Sequence, residues 1–128
     1  MLPNYDRMNP AELFAHQTDT LNLVPGDVLF REGDAGDGMY VVLEGALEIQ
    51  VADKVVETSQ RGAIIGEIAL IDPAPRIATV VAKEPSKLVK IDQRRFHFLI
   101  QQNPFFATHV MKVLAERLRQ MNRLLTQK

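Results

Sequence analysis

The sequence predicts a mainly β fold: an antiparallel jelly-roll barrel with a short N-terminal helix and two C-terminal helices. Between residues 21 and 91, short runs rich in Val, Ile and Leu are broken by Gly, Asp and Pro, as in strands joined by turns. The segment 47–51 alternates strictly between apolar and polar residues. After residue 92, apolar residues recur at helical spacing instead. We therefore expect one domain over 1–128, with a helical segment over 1–20, the barrel over 21–91 and helices over 92–128.

The N-terminal segment carries the signals that start a helix. Asn9 is expected to cap this helix, and Glu12 follows the cap by three residues. Pro10 suits the first helical position, where a missing N–H costs no hydrogen bond. We expect the helix to end near His16 or Gln17.

The central segment predicts the strands of the barrel. Leu47, Ile49 and Val51 are expected on the inner face of one strand, because successive side chains of a strand point to opposite faces. The segment 52–54 is the predicted hairpin turn after that strand. The other predicted strands are 21–24, 28–30, 39–43, 55–58, 78–82 and 87–91.

Two helices are predicted after the barrel. Asp92 is expected to cap the first of them, and Asn103 with Pro104 breaks it. Pro104 then suits the first position of a second helix, which we expect to run to about Thr126. The first helix places three apolar residues on one face: Phe96, Leu99 and Ile100.

The last helix carries two apolar stripes. One is expected to pack on the barrel and comprises Phe105, Phe106, Val110 and Val113. The other repeats at alternating spacings of four and three residues and comprises Ala107, Met111, Leu114, Leu118, Met121 and Leu125. This heptad pattern favours a homodimer paired through the last helix. The alternative is that both stripes belong to the core of a single chain.

The segment 66–80 has the character of a phosphate-binding loop. Gly66 allows the backbone to approach a ligand, and the N–H groups that start a short helical turn suit an anion. Arg76, after a proline-stiffened stretch, can close on that anion with a fork of N–H donors. Glu67 is repelled by a phosphate, so its expected partner is a sugar hydroxyl of the same ligand. Phosphate and sugar together indicate a nucleotide.

Two runs carry this pattern: Gly66-Glu67-Ile68-Ala69-Leu70 and Pro75-Arg76-Ile77-Ala78-Thr79-Val80. They resemble the phosphate-binding cassette of cyclic nucleotide-binding domains, the family found in catabolite activator proteins, protein kinase A regulatory subunits and cyclic-nucleotide-gated channels. The resemblance extends over about residues 23–125 and includes glycine turns at 26–34 and 36–45. It implies that Glu67 binds the ribose 2′-hydroxyl, and that Arg76 with the amides of Ile68 and Ala69 binds the cyclic phosphate. The ligand-binding residues expected on this basis are Ile49, Ile65, Gly66, Glu67, Ile68, Ala69, Pro75, Arg76, Ile77, Ala78 and Asn122.

Ile77 predicts a preference for cyclic AMP over cyclic GMP. In relatives selective for cyclic GMP, a threonine hydroxyl beside the cassette arginine contacts the guanine amino group, and an aliphatic side chain offers no acceptor there. Ile49 is expected to add an apolar wall for either purine, and Asn122 to pair with a base edge.

Composition and motifs argue against several kinds of site. Without cysteine the chain forms no disulfide, thiolate metal site or cysteine-held iron–sulfur cluster. His16, His97 and His109 lack metal-ligand spacing, which also argues against a metal enzyme of the cupin type. The sequence contains neither a nucleophile motif nor a Gly-rich P-loop. We expect no catalytic residue, no metal and no cofactor besides the nucleotide ligand.

Charge and hydropathy indicate a cytoplasmic protein. The formal net charge of −1 gives no general attraction to nucleic acid, and no apolar stretch approaches the roughly 20 residues of a membrane span. The N-terminus lacks a signal-peptide pattern. The chain stops at Lys128 without a helix-turn-helix, so direct DNA binding is not expected. The arginines of the last helix, Arg117, Arg119 and Arg123, are expected only to complement the helix dipole.

The predicted function is that of a non-enzymatic sensor that binds a cyclic nucleotide and signals through its C-terminal helices to an effector protein. Two alternatives stay open at this point. The chain is then either a scaffold whose cassette is retained but unfilled, or the sensory fragment of a larger transcription regulator or ion channel.

Overall fold

The computed structural model describes residues 9–126, which form eight strands and four helices. The expectations for 1–8 and 127–128 lie outside the described residues. The strands in chain order are β1 (Leu21–Leu23), β2 (Val28–Phe30), β3 (Met39–Glu44), β4 (Ala46–Val51), β5 (Lys54–Gln60), β6 (Ile64–Ile65), β7 (Thr79–Ala82) and β8 (Ser86–Ile91). The helices are α1 (Pro10–Leu13), α2 (Ile68–Ile71), α3 (Gln93–Gln102) and α4 (Pro104–Thr126).

The strands form two antiparallel four-stranded sheets that pack face to face as a jelly roll, which confirms the predicted fold class. One sheet has the order β1-β8-β3-β6 and the other the order β2-β7-β4-β5. Every predicted strand is present, with ends that differ by at most two residues. The additional strand, β6, pairs only Ile64 and Ile65 with β3, and two residues are too short to show an alternating pattern.

Strand β3 is buried on both faces and therefore separates two apolar cores. Met39, Val41 and Leu43 pack toward the helices. Tyr40 and Val42 pack toward the second sheet, in a core completed by Leu47, Ile65, Val80 and Leu88. The first sheet is thus fixed from both sides, whereas the second sheet exposes its outer face and the far ends of β4 and β5.

The β4–β5 hairpin turns where the sequence predicts it. Val51 pairs with Lys54, so the loop contains only Ala52 and Asp53, with φ of +52° and +64°. Two consecutive residues with positive φ match the twist of the flanking strands. The hairpin extends the second sheet past the core: Leu47 is buried and Ile49 packs against the core, whereas Val51, expected on the inner face, is 41% exposed at the end of β4.

Helix α1 begins as predicted and ends earlier. The Asn9 side chain accepts a hydrogen bond from the Ala11 N–H at 2.9 Å, but the helix stops at Leu13. Phe14 leaves the helical conformation and enters the helix-side core, where its ring packs edge-on against Phe106 at 6.2 Å between centroids. Burial of one aromatic ring thus outweighs continuation of the helix.

Helices α3 and α4 follow the predicted boundaries. Asp92 accepts a hydrogen bond from the Arg95 N–H at 2.8 Å, and Asn103 ends α3 before Pro104 begins α4. The Phe96 ring lies 6.1 Å from the Phe106 ring, so α1, α3 and α4 meet at one aromatic cluster. Within residues 9–126, no helix is both long and apolar enough to cross a membrane.

The two stripes of α4 have different surroundings. Phe106 and Val110 are buried in the helix-side core, as expected. Leu114, which the sequence assigns to the other stripe, also packs against this core, because it lies one helical turn after buried Val110. The rest of the heptad stripe contains the exposed residues Met111, Leu118, Met121 and Leu125.

Candidate functional site

A cavity of about 550 Å³ lies between the second sheet, the 66–80 segment and α4. Strands β4 and β5 supply Ile49, Val51 and Val56, and α4 supplies Leu118, Met121 and Leu124. The cavity also contains four charged residues: Glu67 and Arg76 of the 66–80 segment form its polar end, and Glu57 of β5 and Arg117 of α4 lie at its wall. A cavity of this size and composition fits a small ligand with one apolar part and one anionic part.

The cavity collects all but one of the residues that the sequence assigns to the ligand. Its lining includes Ile49, Ile65, Gly66, Glu67, Ile68, Ala69, Pro75, Arg76, Ile77 and Ala78. Asn122 is exposed on α4 and does not line the cavity. Gln120 lines it instead, two residues earlier on the helix.

Gly66 allows Arg76 to reach its position. The backbone of Gly66 has φ of +77°, and a Cβ atom placed there would lie 2.5 Å from Arg76 Nη1. Arg76 Nη1 donates a hydrogen bond to the Gly66 carbonyl at 3.3 Å. A side chain at residue 66 is therefore excluded by both its backbone conformation and the arginine.

Arg76 is a buried cation with one unsatisfied donor. Its residue is 7% exposed, its Nη2 donates to the Gly38 carbonyl at 2.7 Å, and the guanidinium lies over the Phe30 ring at 4.1 Å from the centroid. Arg76 Nε is buried and has no hydrogen-bond partner among the described residues. Because a buried donor without a partner is costly, an anion in the cavity would complete this site.

A carboxylate outside the cavity balances the charge of Arg76. Asp37 Oδ1 lies 3.6 Å from Arg76 Nη2, and Asp37 Oδ2 lies 2.7 Å from Lys90 Nζ. The hydrogen bond from Lys90 lowers the pKa of Asp37, and the same bond raises the pKa of Lys90. Lys90 therefore keeps Asp37 ionised and held in place when a ligand competes for the arginine.

The backbone amides of the 66–80 segment are only partly free. The Ala69 N–H donates to the Gly66 carbonyl at 3.2 Å, and the Leu70 N–H to the Glu67 carbonyl at 3.1 Å. Among the described residues, the Ile68 N–H has no such acceptor. In this arrangement the amide of Ile68 is the one available to an anion, and the amide of Ala69 must first leave Gly66.

Glu67 is buried and forms an ion pair with Arg117, which was expected to have no partner of this kind. Glu67 is 2% exposed and makes no capping hydrogen bond to α2. Its Oε1 instead forms an ion pair with Nη1 of Arg117 on α4. The expectation that Arg117 only complements the helix dipole is wrong, because Arg117 lies well before the end of α4 and faces the barrel.

Arg117 binds a second carboxylate on β5. Its Nε donates to Glu57 Oε1 at 3.1 Å, and its Nη2 donates to Glu57 Oε2 at 2.8 Å and to the Ile64 carbonyl at 3.0 Å. Burial acts to lower the pKa of Arg117, but its bonds to the two glutamates outweigh burial and raise that pKa. Arg117 thus stays charged and ties α4 to β5 and to the 66–80 segment.

The sequence contains a signal for Arg117. Viewed down the helix axis, Arg117 falls between Val113 and Leu114, within the apolar arc rather than opposite it. A charged residue inside an apolar arc requires a buried partner.

Metal binding has no comparable support, because residues 9–126 contain no group of three or more His, Cys, Asp or Glu side chains that could hold a metal ion.

Comparison with known proteins gives a family match. Residues 20–103 match the family model described as the cyclic nucleotide-binding domain. The chain is 35% identical over 81 residues to the cAMP-dependent protein kinase type II regulatory subunit of Drosophila melanogaster. That alignment covers 63% of this chain and 22% of the subunit, so the chain spans about a fifth of that relative.

Solved structures have the same fold. The catabolite activator protein of Thermus thermophilus aligns with a TM-score of 0.76 at 24% identity, over 88% of this chain and 61% of that one. The EAL enzyme Bd1971 in its cAMP-bound form aligns with a TM-score of 0.60 at 29% identity, over 81% of this chain and 29% of that one. Its cGMP-bound form gives a TM-score of 0.62 at 28% identity, over 82% and 29%.

The Arg117 contacts predict a pH-dependent contribution to stability. Arg117→Gln should lower the free energy of unfolding at pH 7 by on the order of 3 kcal/mol, because it leaves buried Glu67 and half-buried Glu57 without this cation. The pKa of Glu57 in the folded protein lies below its ordinary value of 4.5, since the bonds from Arg117 outweigh the effect of burial. The stabilisation that Arg117 gives through ionised Glu57 is therefore fully present above pH 4.5 and is lost as the pH falls through the pKa of Glu57 in the folded protein. The difference in unfolding free energy between the parent and Arg117→Gln should therefore become smaller in acid.

Urea unfolding at pH 7 and in steps below pH 4.5 measures this difference. Arg119→Gln is the matched control, because the Arg119 side chain is 64% exposed and forms an ion pair with exposed Glu116 on the same helix. Its cost should stay below about 0.5 kcal/mol. Equal losses of unfolding free energy in Arg117→Gln and Arg119→Gln at pH 7 would contradict the stabilising role assigned to Arg117.

Proposed function

Because the chain belongs to the family of cyclic nucleotide-binding domains, we propose that it binds cyclic AMP in preference to cyclic GMP and signals through its C-terminal helices. The observation that carries this proposal is the cavity in which buried Glu67 and Arg76 form the polar end and apolar side chains form the walls. One end suits a sugar phosphate and the other suits a purine.

The proposed ligand pose follows from the donors and acceptors at each wall. The cyclic phosphate lies against Arg76 and the Ile68 N–H, which are the cation and the backbone donor without complete partners. The ribose 2′-hydroxyl donates to Glu67. The purine then lies between Ile49 on β4 and Leu118 on α4.

The preference for cyclic AMP rests on the side chains around the base. Ile77 lines the cavity and offers no acceptor to the guanine amino group. A Drosophila relative is named as cAMP-dependent, whereas the enzyme Bd1971 is known in forms bound to either nucleotide. The preference is thus proposed from Ile77 in this chain rather than from its relatives.

Signalling is proposed through α4, because the same helix contributes to the ligand cavity and binds its ribose acceptor. Arg117 and Leu118 are adjacent on α4, one bound to Glu67 and the other at the cavity wall. A ligand that changes these contacts shifts the equilibrium between positions of α4. The proposed hinge is 102–104, where α3 ends and α4 begins.

The module is proposed to act by binding, without catalysis of its own, in the cytoplasm. Its effector is then a protein that recognises the position of α3 and α4. The family also occurs within larger regulators and channels, so a sensory fragment of such a protein and an unfilled scaffold are the competing proposals. Nucleotide binding separates the unfilled scaffold from the rest.

We also propose a homodimer through the exposed stripe of α4. Met111, Leu118, Met121 and Leu125 are each more than half exposed, and they recur at the heptad spacing of seven and three or four residues. Such a stripe on a charged helix is typical of a paired surface. Leu118 and Met121 also line the ligand cavity, so pairing and ligand binding share residues.

Replacement of Arg76 tests the site directly. Arg76→Ala should weaken cyclic AMP binding by at least about a hundredfold, because two charge-assisted hydrogen bonds of about 1.5–3 kcal/mol each are lost. Glu67→Ala should weaken it less. Isothermal titration calorimetry measures both, with exposed Arg61→Ala as the control and circular dichroism as the check on folding. Parent-like affinity in folded Arg76→Ala would remove the basis of the proposal.

Replacement of Ile77 tests the base preference. Ile77→Thr should improve cyclic GMP binding by about tenfold and leave cyclic AMP nearly unchanged, because it supplies the missing acceptor. Ile71→Thr is the control, since Ile71 is 57% exposed and does not line the cavity. Equal affinities of the parent for the two nucleotides, or parallel changes in Ile77→Thr, would show that the preference does not reside here.

Replacement of Met111 tests the dimer without altering the cavity. Met111 is 59% exposed and does not line the cavity, so Met111→Glu should dissociate the dimer by placing a charge in its seam. Phe98→Glu on α3, at 61% exposure, is the control for a charge elsewhere. Light scattering over a range of concentrations gives the mass. A parent protein that is monomeric at high concentration, with and without nucleotide, would rule the dimer out.

A further inference from the structure

Three charged side chains from different elements meet at the wall of the cavity. Arg117 extends from α4, Glu57 from β5, and Glu67 from the residue before α2. The Glu67 side chain is 3% exposed, whereas those of Arg117 and Glu57 are 26% and 28% exposed. One guanidinium therefore serves two carboxylates, and the way it divides its donors decides what remains for a ligand.

Arg117 divides its donors unequally. Its Nε and Nη2 approach both oxygens of Glu57, at 3.1 and 2.8 Å, which is the two-pronged geometry of a strong arginine–carboxylate pair. Only Nη1 reaches Glu67, and it contacts Oε1 alone. The planar guanidinium has its orientation set by the two-pronged contact, so Glu57 rather than Glu67 orients Arg117.

Glu57 is itself held firmly. It lies on β5 opposite Ile49 of β4, and its Oε2 accepts a hydrogen bond from Ser59 Oγ at 3.2 Å. Ser59 is 1% exposed. Arg117 is therefore oriented by Glu57, a side chain that is held on β5 of the second sheet.

The second oxygen of Glu67 is left free by this arrangement. Within residues 9–126, Oε2 of Glu67 accepts no hydrogen bond, although Glu67 lines the cavity. A carboxylate with one oxygen on an arginine keeps the other available to a hydroxyl donor. If Glu57 were absent, the fork of Arg117 could turn onto Glu67 and occupy both of its oxygens.

We propose that Glu57 is a positioning residue for the ribose: it holds the fork of Arg117 on β5, so that one oxygen of Glu67 stays free for the 2′-hydroxyl. This inference rests on the proposed function, because the ribose belongs to the cyclic nucleotide. Glu57 touches no ligand in this role and acts through Arg117 and Glu67.

A comparison of cyclic AMP with 2′-deoxy cyclic AMP isolates this role. The parent should bind the ribonucleotide at least about tenfold more tightly, since a hydroxyl bonded to a carboxylate is lost in the deoxy analogue. Glu57→Gln should reduce that ratio to about threefold or less while changing the affinity for the deoxy analogue by less than about twofold. Glu116→Gln is the matched control, because Glu116 bonds to Arg119 and Arg123 and does not line the cavity.

Two results of these titrations would overturn the inference. One is unchanged affinity for both nucleotides in folded Glu57→Gln. The other is an equal loss of affinity for both nucleotides, which would show that Glu57 only holds α4 in place. A parent that binds neither nucleotide would overturn the proposed function instead, and the role toward ribose with it.

A measurement without nucleotide keeps the positioning step testable. In ¹⁵N NMR spectra of the parent, the Arg117 Nε–H should be protected from exchange by Glu57. This signal should persist in Glu67→Gln and shift or lose protection in Glu57→Gln. The reverse pattern, with loss in Glu67→Gln and persistence in Glu57→Gln, would show that Glu67 orients the arginine and that the inference is wrong.

Discussion

The contact between Arg117 and its two glutamates is the interaction on which the rest of the site depends. Glu67 is 2% exposed, and a buried carboxylate destabilises the fold unless a cation pairs with it. That cation belongs to α4, so Glu67, the proposed acceptor of the sugar, is paired only when the helix lies against the barrel. The position of α4 therefore determines whether the carboxylate of Glu67 in the cavity is paired.

Arg76 presents the opposite charge at the same polar end of the cavity. Its contacts are two carbonyls, an aromatic face and one carboxylate at 3.6 Å, which together fix the cation and leave its Nε without a partner among the described residues. Lys90 draws Asp37 away from a closer pairing with the arginine, through the shorter of the two Asp37 contacts. The polar end of the cavity thus holds a preorganised positive group, Arg76, beside a preorganised negative group, Glu67.

The sequence predicts the elements and the cassette well because their signals are local. The strand at 47–51, the caps at Asn9 and Asp92 and the break at Pro104 each need only neighbouring residues, and the structure confirms them. The partners of Glu67 and Arg76 were beyond reach for a physical reason. The contact of Arg117 with Glu67 joins residues 50 positions apart, and that of Arg76 with Gly38 joins residues 38 apart. Such contacts depend on how α4 and β3 pack, which no short pattern encodes.

The aromatic cluster of Phe14, Phe96 and Phe106 is a packing contact that α3, α4 and the residue after α1 share. Each ring comes from a different part of the chain, and Phe106, at the first turn of α4, touches both of the others. A packed core is bistable rather than continuously deformable, so α4 cannot tilt about this ring without displacing its two neighbours. If a ligand shifts α4 as proposed, Phe14, the residue that follows α1, is displaced as directly as Phe96 of α3, because Phe106 contacts both rings.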